Sequence, residues 1–429
     1  MSQRQQLLDA TRAKVFNCKL CPLREHAKQT VWGEGPIDAP VFIIGEAPGA
    51  DEDEQGRPFV GRAGKVLDDA LKTAGLDRQA LYVDNVLSCR PPNNSFPDDP
   101  TPVQSCLPYL NDNLAAVLPE VAVVLGANAY KSIFDGRPQM MMSKTRGTVF
   151  MHQFFANGRP LALPMVLSYH PSYVARRGGS DTREYRELVE DIKFAATLAE
   201  TRRQVPEIFA GVVTSLPEPV QAVTRAALER APDTFTKAPA SSSGKHHPAW
   251  ANEDGGLLSH SLGVSYIAGE IAARMGEEQF VTILRAAGLL HDLIKWGYGS
   301  QGYKSDYKHH EAISSGFVAA VADRMGLYED GNVLRLLCAI GTHAGQWGDN
   351  RPRIWYELAL HLGDLLMSNK NMPDPLHISV VTQDAKEALT ELSRIQDYSS
   401  IPRSAEAIDA ARAVVTALRP GFARSLLRK

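Results

Sequence analysis

The stretch Val41-Phe42-Ile43-Ile44-Gly45-Glu46-Ala47-Pro48-Gly49 decides the fold of the first half of this 429-residue chain. Its first four residues are apolar and mostly β-branched or aromatic, which predicts a buried strand. The glycines and the proline that follow let the backbone turn sharply and approach a ligand, with Glu46 on the turn. In parallel sheets, ligands bind beyond the carboxyl ends of the strands, so this loop is a candidate binding site.

Further apolar runs extend this pattern along the chain and predict strands at 82–87, 121–126 and 164–168. Helical periodicity lies between and after them, at 64–75, 102–118, 127–134 and 184–203. Strands that alternate with helices predict a three-layer α/β domain with a parallel sheet covered on both faces. Asn85 and His170 fall at or just after strand ends, so we expect them to join Glu46 in one site.

Strand patterns stop at Gly256, and helical patterns follow at 257–273, 281–291, 312–322, 332–342, 355–367 and 382–393. The second half is therefore predicted to be an all-α helical bundle. A chain of this length exceeds what one hydrophobic core usually serves. We predict a first domain over residues 1–200, a connector over 201–224 and a second domain over 225–429.

The composition is that of an ordinary water-soluble protein, with 44% hydrophobic residues, 22% charged residues and a net charge of −3. Any surface for DNA must therefore be a local basic patch on a near-neutral body. The first residues lack the apolar core of a signal peptide, and no apolar run approaches membrane-spanning length. We expect a cytoplasmic protein with no membrane partner.

Four of the five cysteines, Cys18, Cys21, Cys89 and Cys106, lie in the first quarter of the chain. In a reducing compartment such thiols usually hold a metal centre rather than form disulfides. Cys18-x-x-Cys21 has chelate spacing, and both a structural zinc and an iron–sulfur cluster fit four thiolates, zinc being the commoner. The fifth, Cys338, is predicted to be a small buried hydrophobe.

Residues 15–195 resemble the family 4 (iron–sulfur) uracil-DNA glycosylases in seven ordered motifs. These are Cys18/Cys21, Gly45-Glu46-Ala47-Pro48-Gly49, Gly56-x-Pro58-Phe59-Val60-Gly61-x-Ala63-Gly64, Asn85-Val86-x-x-Cys89-Arg90-Pro91-Pro92-Asn93-Asn94, Cys106, Leu125-Gly126-x-x-Ala129 and His170-Pro171-Ser172. The resemblance implies a glycosylase that acts on single- or double-stranded uracil-containing DNA. It also implies a [4Fe–4S] cluster on the four cysteines, against the preference for zinc from spacing alone.

The resemblance implies a role for each matching residue in the base pocket. Phe59 would stack on the flipped base beside Ala47, and Asn85 would hydrogen-bond the Watson–Crick edge. His170 would stabilise the negative charge on the departing uracil. Glu46 would position water or stabilise the cationic sugar, supported by Glu52 and Asp53.

Two features near this pocket concern the DNA strand. Arg176, beside Arg177, is a candidate phosphate clamp. Ser95-Phe96 stand where the family leads us to expect a basic residue after Asn94, and the basic, His-containing insertion of the covalently trapping relatives is absent. We therefore predict turnover rather than covalent capture of the DNA.

Histidine and aspartate residues recur on several predicted helices of the second half. Such side chains, aimed into a helical bundle, can bind Mn, Fe, Co, Ni or Mg ions, which acidify water for attack on a phosphoester. Residues 225–370 resemble the HD metal-dependent phosphohydrolases. The resemblance implies a metal core of His260, His291, Asp292 and Asp364, a second metal site with His310 and His343, and phosphate neutralisation by Lys295.

The flanks of this pattern, at 235–240, 246–249 and 255–262, look like the HD modules of bacterial 3′-to-5′ exoribonucleases and conjugative relaxases. That likeness implies a nucleic-acid strand as the substrate, and we expect a uracil-excising enzyme coupled to a phosphodiesterase or nuclease. Two alternatives stay open. The HD domain could hydrolyse nucleotides in a nucleotide-pool or antiviral role, or the protein could be a modified-base DNA sensor with a nucleotide phosphohydrolase effector.

Overall fold

The computed structural model describes residues 3–134, 141–156, 158–241, 247–298, 309–348, 350–376, 388, 392, 398–419 and 421–427. The chain divides into two compact units, Met1–Thr201 and Arg202–Lys429. Among the described helices, none combines the length and the apolar character that crossing a bilayer requires.

The first unit is built on a five-stranded sheet. Its strands are β1 (Val41–Gly45), β2 (Tyr82–Asn85), β3 (Val121–Leu125), β4 (Val149–Ala156) and β5 (Arg159–Ser168), in the order β2-β1-β3-β5-β4. All neighbouring pairs are parallel except β4 and β5, which form an antiparallel hairpin. The parallel strands β1, β2 and β3 are buried along their whole length, as expected for a sheet covered on both faces.

Strand β4 was missed in the sequence analysis, which also began β5 five residues late. Two prolines, Pro160 and Pro164, interrupt the strand pattern, because proline cannot donate to a ladder. Both prolines precede Met165, where β5 begins to pair with β3. The part of β5 that lies between β3 and β4 therefore contains no proline and keeps its backbone N–H donors. The pair Asn157-Gly158 is a strong hairpin signal in the sequence and could have revealed β4.

Helices form a layer on each side of this sheet, so the prediction of a three-layer α/β domain is confirmed. Helix α9 packs against β1, β3 and β5, whereas α5 packs against β2 and β4. The helices are α1 (Gln3–Phe16), α2 (Leu23–His26), α3 (Ala50–Gln55), α4 (Arg62–Ala74), α5 (Thr101–Val117), α6 (Ala127–Ile133), α7 (Met142–Thr145), α8 (Pro171–Arg177) and α9 (Arg183–Glu200).

The described part of the second unit consists of helices and turns, which confirms the prediction of an all-α bundle. Helix α13 is largely buried and packs against α14, α17 and α18. The helices are α10 (Glu207–Thr214), α11 (Val220–Glu229), α12 (Asp233–Lys237), α13 (Gly256–Arg274), α14 (Glu278–Leu290), α15 (His310–Arg324), α16 (Gly331–Thr342), α17 (Trp355–Met367) and α18 (Ser404–Ala417).

Three sequence expectations for this unit were not confirmed. The segment 201–224, expected to be a connector, contains α10 and the first turn of α11, and nearly all of it belongs to the second unit. The helix predicted at 382–393 lies outside the described residues, apart from positions 388 and 392. The prediction that Cys338 is buried is wrong, because this residue lies on the exposed side of α16.

Candidate active sites

A cavity of about 550 Å³ lies at the carboxyl ends of β1, β2 and β5. It collects side chains that are far apart in the sequence, from loops that each follow a strand. Its lining includes Glu46, Ala47, Phe59, Asn85, His170 and Arg176. The structure therefore brings the predicted base-pocket residues to one place.

Gly45 makes room for two of these side chains. A Cβ atom at this position would lie 2.3 Å from Asn85 Oδ1 and 2.4 Å from Phe59 Cζ, so only glycine lets both side chains close over the end of β1. Asn85 is only 5% exposed, and its side-chain amide has no hydrogen-bond partner in the described part of the chain. The amide is thus available to both donor and acceptor atoms of a base edge.

The Phe59 backbone is held in a left-handed conformation, with φ at 53°. A bulky residue adopts this conformation only when its surroundings impose it. Arg78 donates to the carbonyl oxygens of Pro58 (2.8 Å) and Phe59 (3.2 Å), and Gly64 leaves space for the Phe59 carbonyl. Arg78, which the sequence analysis missed, therefore positions the aromatic ring.

The Glu46 carboxylate is fixed by one residue from the start of α6. The backbone N–H of Asn128 donates to one oxygen (3.2 Å), and its side-chain amide donates to the other (3.1 Å). Gly126 allows this approach, since a Cβ there would lie 2.4 Å from Glu46 Oε1. Asn128 lies between the motif residues Gly126 and Ala129, so its position after a strand was the signal for its role.

Glu52 and Asp53 make their contacts with the backbone. Glu52 accepts hydrogen bonds from the N–H groups of Gly49 (3.0 Å) and Gly61 (2.8 Å), and both carboxylate oxygens are used in this way. Asp53 accepts from the backbone N–H of Gln29 at 3.4 Å and is not part of the cavity lining. The two acids hold the loop that carries the pocket, and Asp53 does not reach the cavity.

His170 caps the N-terminus of α8 and presents one ring nitrogen as a free donor. Its Nδ1 accepts from the backbone N–H of Ser172 at 3.1 Å, so the proton of the neutral ring resides on Nε2. Nε2 is buried and unpaired in the part of the chain that the structure describes. Burial lowers the pKa of His170, more than the nearby Glu46 raises it.

Arg176 lies at the mouth of the same cavity, one turn after Ser172 on α8. It is exposed, and its guanidinium donates to Ser172 Oγ at 3.4 Å. The side chain is thus anchored near the pocket and remains accessible to a phosphate.

The four early cysteines converge outside this cavity. Cys18 and Cys21 lie between α1 and α2, Cys89 follows β2, and Cys106 lies on α5. No disulfide links them in the described structure. Burial, together with the nearby thiols of Cys106, Cys21 and Cys18, raises the pKa of Cys89 to about 12. A bound cation would remove this penalty, which fits a metal-binding role.

Two kinds of metal centre use four thiolates in this way. A tetrahedral zinc binds all four sulfurs itself, through bonds of about 2.3 Å. An iron–sulfur cluster binds each sulfur through a different iron atom. Among the described residues, the triads whose ligand atoms lie within 4.8 Å of one another contain only His and Asp.

In the second unit, the predicted His and Asp residues form a buried cluster. His260 on α13, His291 after α14 and Asp364 on α17 meet there, with His260 Nε2 3.1 Å and His291 Nε2 3.6 Å from Asp364 Oδ1. Asp292 Oδ2 lies 3.5 Å from His291 Nε2. These four residues can hold one metal ion.

Asp292 also faces a second group of donors. Its Oδ1 atom lies 3.0 Å from His310 Nε2 and 3.5 Å from His343 Nε2, and these three residues form a further candidate ligand set. The two oxygens of one carboxylate therefore point to two adjacent sites. Lys295 Nζ lies 2.5 Å from Asp292 Oδ2, at the same cluster.

Backbone carbonyls fix the orientation of two of these histidines. His291 Nδ1 bonds the Gly288 carbonyl at 2.8 Å, and His343 Nδ1 bonds the Ile340 carbonyl at 2.7 Å. In each ring Nδ1 is therefore the donor to a carbonyl, and Nε2 is turned into the cluster. Both Nε2 atoms are buried, with no hydrogen-bond partner in the described residues, as expected for metal ligands.

The charge state of the cluster also suits divalent cations. Burial raises the pKa of Asp292, but Lys295, His291 and His310 overcome this and hold it well below its usual range. Burial likewise opposes ionisation of Asp364, and His260 and His291 hold its pKa low. Both carboxylates are therefore anionic at neutral pH.

His247 is a neighbour of this cluster that sequence reasoning treated only as flanking sequence. Its ring centroid lies 5.5 Å from that of His260, and its Nε2 pairs with Ser368 Oγ at 3.1 Å. Burial lowers its pKa to about 3, so it is neutral. The flanking residue His246 lies outside the described residues. His361 is buried and bonds the His343 carbonyl, whereas the His309 side chain is 47% exposed.

Comparisons with known proteins agree with this division. Residues 32–193 match the family model of the Uracil DNA glycosylase superfamily, and residues 257–388 match that of the HD domain. The type-4 uracil-DNA glycosylase of Thermotoga maritima is 35% identical over 195 residues, which cover 96% of that protein and 46% of this chain. The type-4 enzyme of Pyrobaculum aerophilum is 37% identical over 165 residues, covering 82% of it and 38% of this chain. That of Archaeoglobus fulgidus is 38% identical over 174 residues, covering 84% of it and 40% of this chain.

Proposed function

This chain belongs to the type-4 uracil-DNA glycosylase family and also carries an HD domain, and we propose that it is a hydrolase with two activities. The first unit removes uracil from DNA by hydrolysing the N-glycosidic bond. The second unit hydrolyses phosphoester bonds with the help of divalent metal ions. The observation that carries the first activity is the single cavity lined by Glu46, Phe59, Asn85 and His170.

The chemistry of base removal requires opposite charges to be stabilised on two sides of one bond. When the bond from the sugar carbon to uracil breaks, both electrons leave with the base and the sugar becomes cationic. His170 Nε2–H donates to the uracil anion, and Glu46, held by Asn128, stabilises the cation and orients water. The water oxygen bonds to the sugar, and its proton completes the released uracil.

The other cavity residues select and hold the flipped base. Asn85 offers a donor and an acceptor to its Watson–Crick edge, and the Phe59 ring, 6.1 Å from the His170 ring between centroids, stacks on its face. Arg176 binds a flanking phosphate. Because flipping costs least for an unpaired base, we expect single-stranded uracil-DNA to be the better substrate.

The pH profile of uracil release tests the role of His170. Since burial lowers the pKa of His170 below its usual 6.5, the neutral ring with its Nε2–H donor predominates at pH 6.5 and above. We expect the single-turnover rate to be level from pH 8 to about pH 7 and to fall only at lower pH, where protonation of Nδ1 breaks its bond with the Ser172 N–H. The measurement is single-turnover excision from a uracil-containing strand across pH 5–9. A midpoint above pH 7 that disappears in His170→Gln would contradict this assignment.

We further propose that Cys18, Cys21, Cys89 and Cys106 hold a [4Fe–4S] cluster with a structural role. The support is the convergence of four cysteines, none of which forms a disulfide in the described structure, in a chain that resembles the iron–sulfur uracil-DNA glycosylases. The cluster would tie the N-terminal segment to the loop that follows Asn85 and to α5.

Removal of one ligand tests this proposal. Cys89→Ser is expected to lose most of the bound iron and to lower the melting temperature by roughly 10 °C, because ligand binding adds to folding stability. Iron, sulfide and zinc would be assayed after anaerobic purification, and melting followed by calorimetry. Cys338→Ser, at an exposed cysteine, is the control and should change neither. Stoichiometric zinc in the wild-type protein would overturn the cluster.

The metal-dependent activity of the second unit is supported by the buried cluster around Asp292. His260, His291, Asp292 and Asp364 would hold one ion, and His310 and His343 would share Asp292 with a second. Bound ions would lower the pKa of water and supply a hydroxide nucleophile. Lys295 neutralises phosphate charge beside Asp292.

We propose that the substrate of the HD unit is a nucleic-acid strand and that the two activities act in sequence. Uracil release leaves an abasic site, and hydrolysis of a nearby phosphodiester would open the strand there. Covalent linkage gives the second step a high effective concentration. The test is a uracil-containing oligonucleotide incubated with Mn²⁺ and the whole chain. If Asp292→Ala leaves every product unchanged, coupling is excluded, and hydrolysis of free nucleotides instead of strands would favour the nucleotide-pool alternative.

A further inference from the structure

A short turn at residues 345–348 follows His343, a candidate metal ligand. Its two glycines, Gly345 and Gly348, lie very close to neighbouring side chains. A Cβ at Gly345, where φ is +58°, would lie 2.2 Å from the His361 ring. A Cβ at Gly348 would lie 2.8 Å from Ala344 Cβ and 3.0 Å from Glu311 Oε1. The turn is thus held against α17 on one side and α15 on the other.

Both anchoring residues adjoin the metal cluster. His361 accompanies Asp364 on α17 and bonds the His343 carbonyl through Nδ1 at 2.7 Å. Glu311 follows His310 directly at the start of α15. The turn therefore lies at the rim of the cluster. The residues that it packs against, His361 and Glu311, are neighbours of the candidate ligands His310, His343 and Asp364.

Trp347 is the residue that this turn presents to solvent. Its side chain is 65% exposed, and its ring centroid lies 5.8 Å from that of His361. No other aromatic side chain in the described part of the second unit is exposed. A large indole that is exposed beside the candidate metal site, on a turn packed closely against two helices, is suited to stack on a planar ligand.

Two arginines that follow this turn in the chain favour an anionic ligand. Arg351 and Arg353 follow the turn, and both are exposed. Burial raises the pKa of Tyr398, and the positive charge of Arg351 partly opposes this. The Tyr398 ring lies 5.9 Å from the His361 ring, so Arg351 is also near the rim. An aromatic face beside arginines is the arrangement with which proteins bind single-stranded nucleic acid, with bases stacked and phosphates paired.

We propose that Trp347 is a base-stacking platform that seats a single strand of nucleic acid at the HD metal cluster. This inference rests on the proposed phosphodiesterase function and specifies its substrate. One nucleobase stacks on Trp347, Arg351 and Arg353 contact phosphates, and the adjoining phosphodiester reaches the cluster around Asp292. Stacking accepts any base, so the site selects single strands rather than a sequence.

The test compares two strands with the same backbone. One is a labelled dT12 strand, and the other is a 12-residue strand of tetrahydrofuran abasic units, which keeps every phosphate and lacks bases. Hydrolysis with Mn²⁺ and binding by fluorescence anisotropy without metal are measured for the whole chain. A labelled U12 RNA strand shows whether the sugar matters.

Trp347→Ala is expected to weaken dT12 binding and raise its KM about tenfold, with the abasic strand unaffected. Trp347→Phe keeps a ring and should stay within about threefold of wild type. Met325→Ala, at an exposed residue at the other end of α15, is the control and should change nothing.

The outcomes separate this inference from the proposed function. Equal losses on both strands, or none on either, would refute the stacking role of Trp347. If wild-type protein cleaves neither strand, the phosphodiesterase proposal fails, and the anisotropy comparison still decides whether Trp347 binds bases. If dTMP binds as tightly as dT12, a single strand is refuted as the ligand of this site, and a mononucleotide is favoured.

Discussion

Replacing Asp292 with alanine is expected to lower phosphodiester hydrolysis by the second unit about a thousandfold. One Asp292 oxygen faces His310 and His343, and the other faces His291 and Lys295. The substitution therefore removes a ligand from both candidate metal sites at once. It also removes the carboxylate that lies 2.5 Å from the buried Lys295 ammonium, which costs further stability in the cluster.

The measurement is Mn²⁺-dependent cleavage of a labelled strand, with bound metal determined in the same preparations. Asp409→Ala, at a 73% exposed aspartate on α18, is the matched control and should retain full activity and metal content. Uracil release should be unchanged in both variants, because the base pocket lies in the other unit. Wild-type cleavage by a metal-free Asp292→Ala protein would contradict the assignment.

Replacing His170 with alanine is expected to lower the rate of uracil release by about a hundredfold to a thousandfold, the usual effect of losing one donor to a developing anion. The variant loses the Nε2–H group that faces the cavity. It also loses the acceptor for the Ser172 N–H, which caps α8. The first effect acts on the chemical step, and the second acts on folding.

Single-turnover excision and thermal melting separate these two effects. His170→Asn keeps a side-chain oxygen that can cap α8, and its shorter amide does not reach as far as the ring Nε2. This variant should therefore melt close to the wild-type temperature but still release uracil slowly. If His170→Asn excises uracil at the wild-type rate, the histidine is a helix cap and not a catalytic residue.

Local sequence patterns were sufficient to predict features of the fold that depend on a single strand or helix. The buried strands β1, β2 and β3 read directly from apolar runs, and their ends predicted that Glu46, Asn85 and His170 would meet. The candidate HD ligands were predicted as a set from the resemblance to the HD phosphohydrolases, and the structure brings them together from successive helices.

The parts that the sequence analysis missed depend on contacts between distant segments. Asn128 fixes Glu46 across 82 positions, and Arg78 holds the backbone of Phe59 from 19 positions away. The loop-holding contacts of Glu52 and Asp53 depend on which way a short helix presents its carboxylates to neighbouring amides. Nothing in the sequence distinguishes Trp347 from other aromatic residues. Its place beside the cluster depends on the close packing of Gly345 and Gly348. Periodicity contains no information on any of these.

The most direct test of the central claim is release of free uracil under multiple turnover. The anaerobically purified whole chain would be mixed with a tenfold excess of a single-stranded oligonucleotide with one uracil, and free uracil and alkali-labile sites would be quantified together. We predict equal amounts of both, exceeding the amount of enzyme, and none with a thymine-containing strand. Binding of the uracil strand without release of uracil, unchanged by Glu46→Gln, would contradict the claim and identify the protein as a sensor of modified DNA.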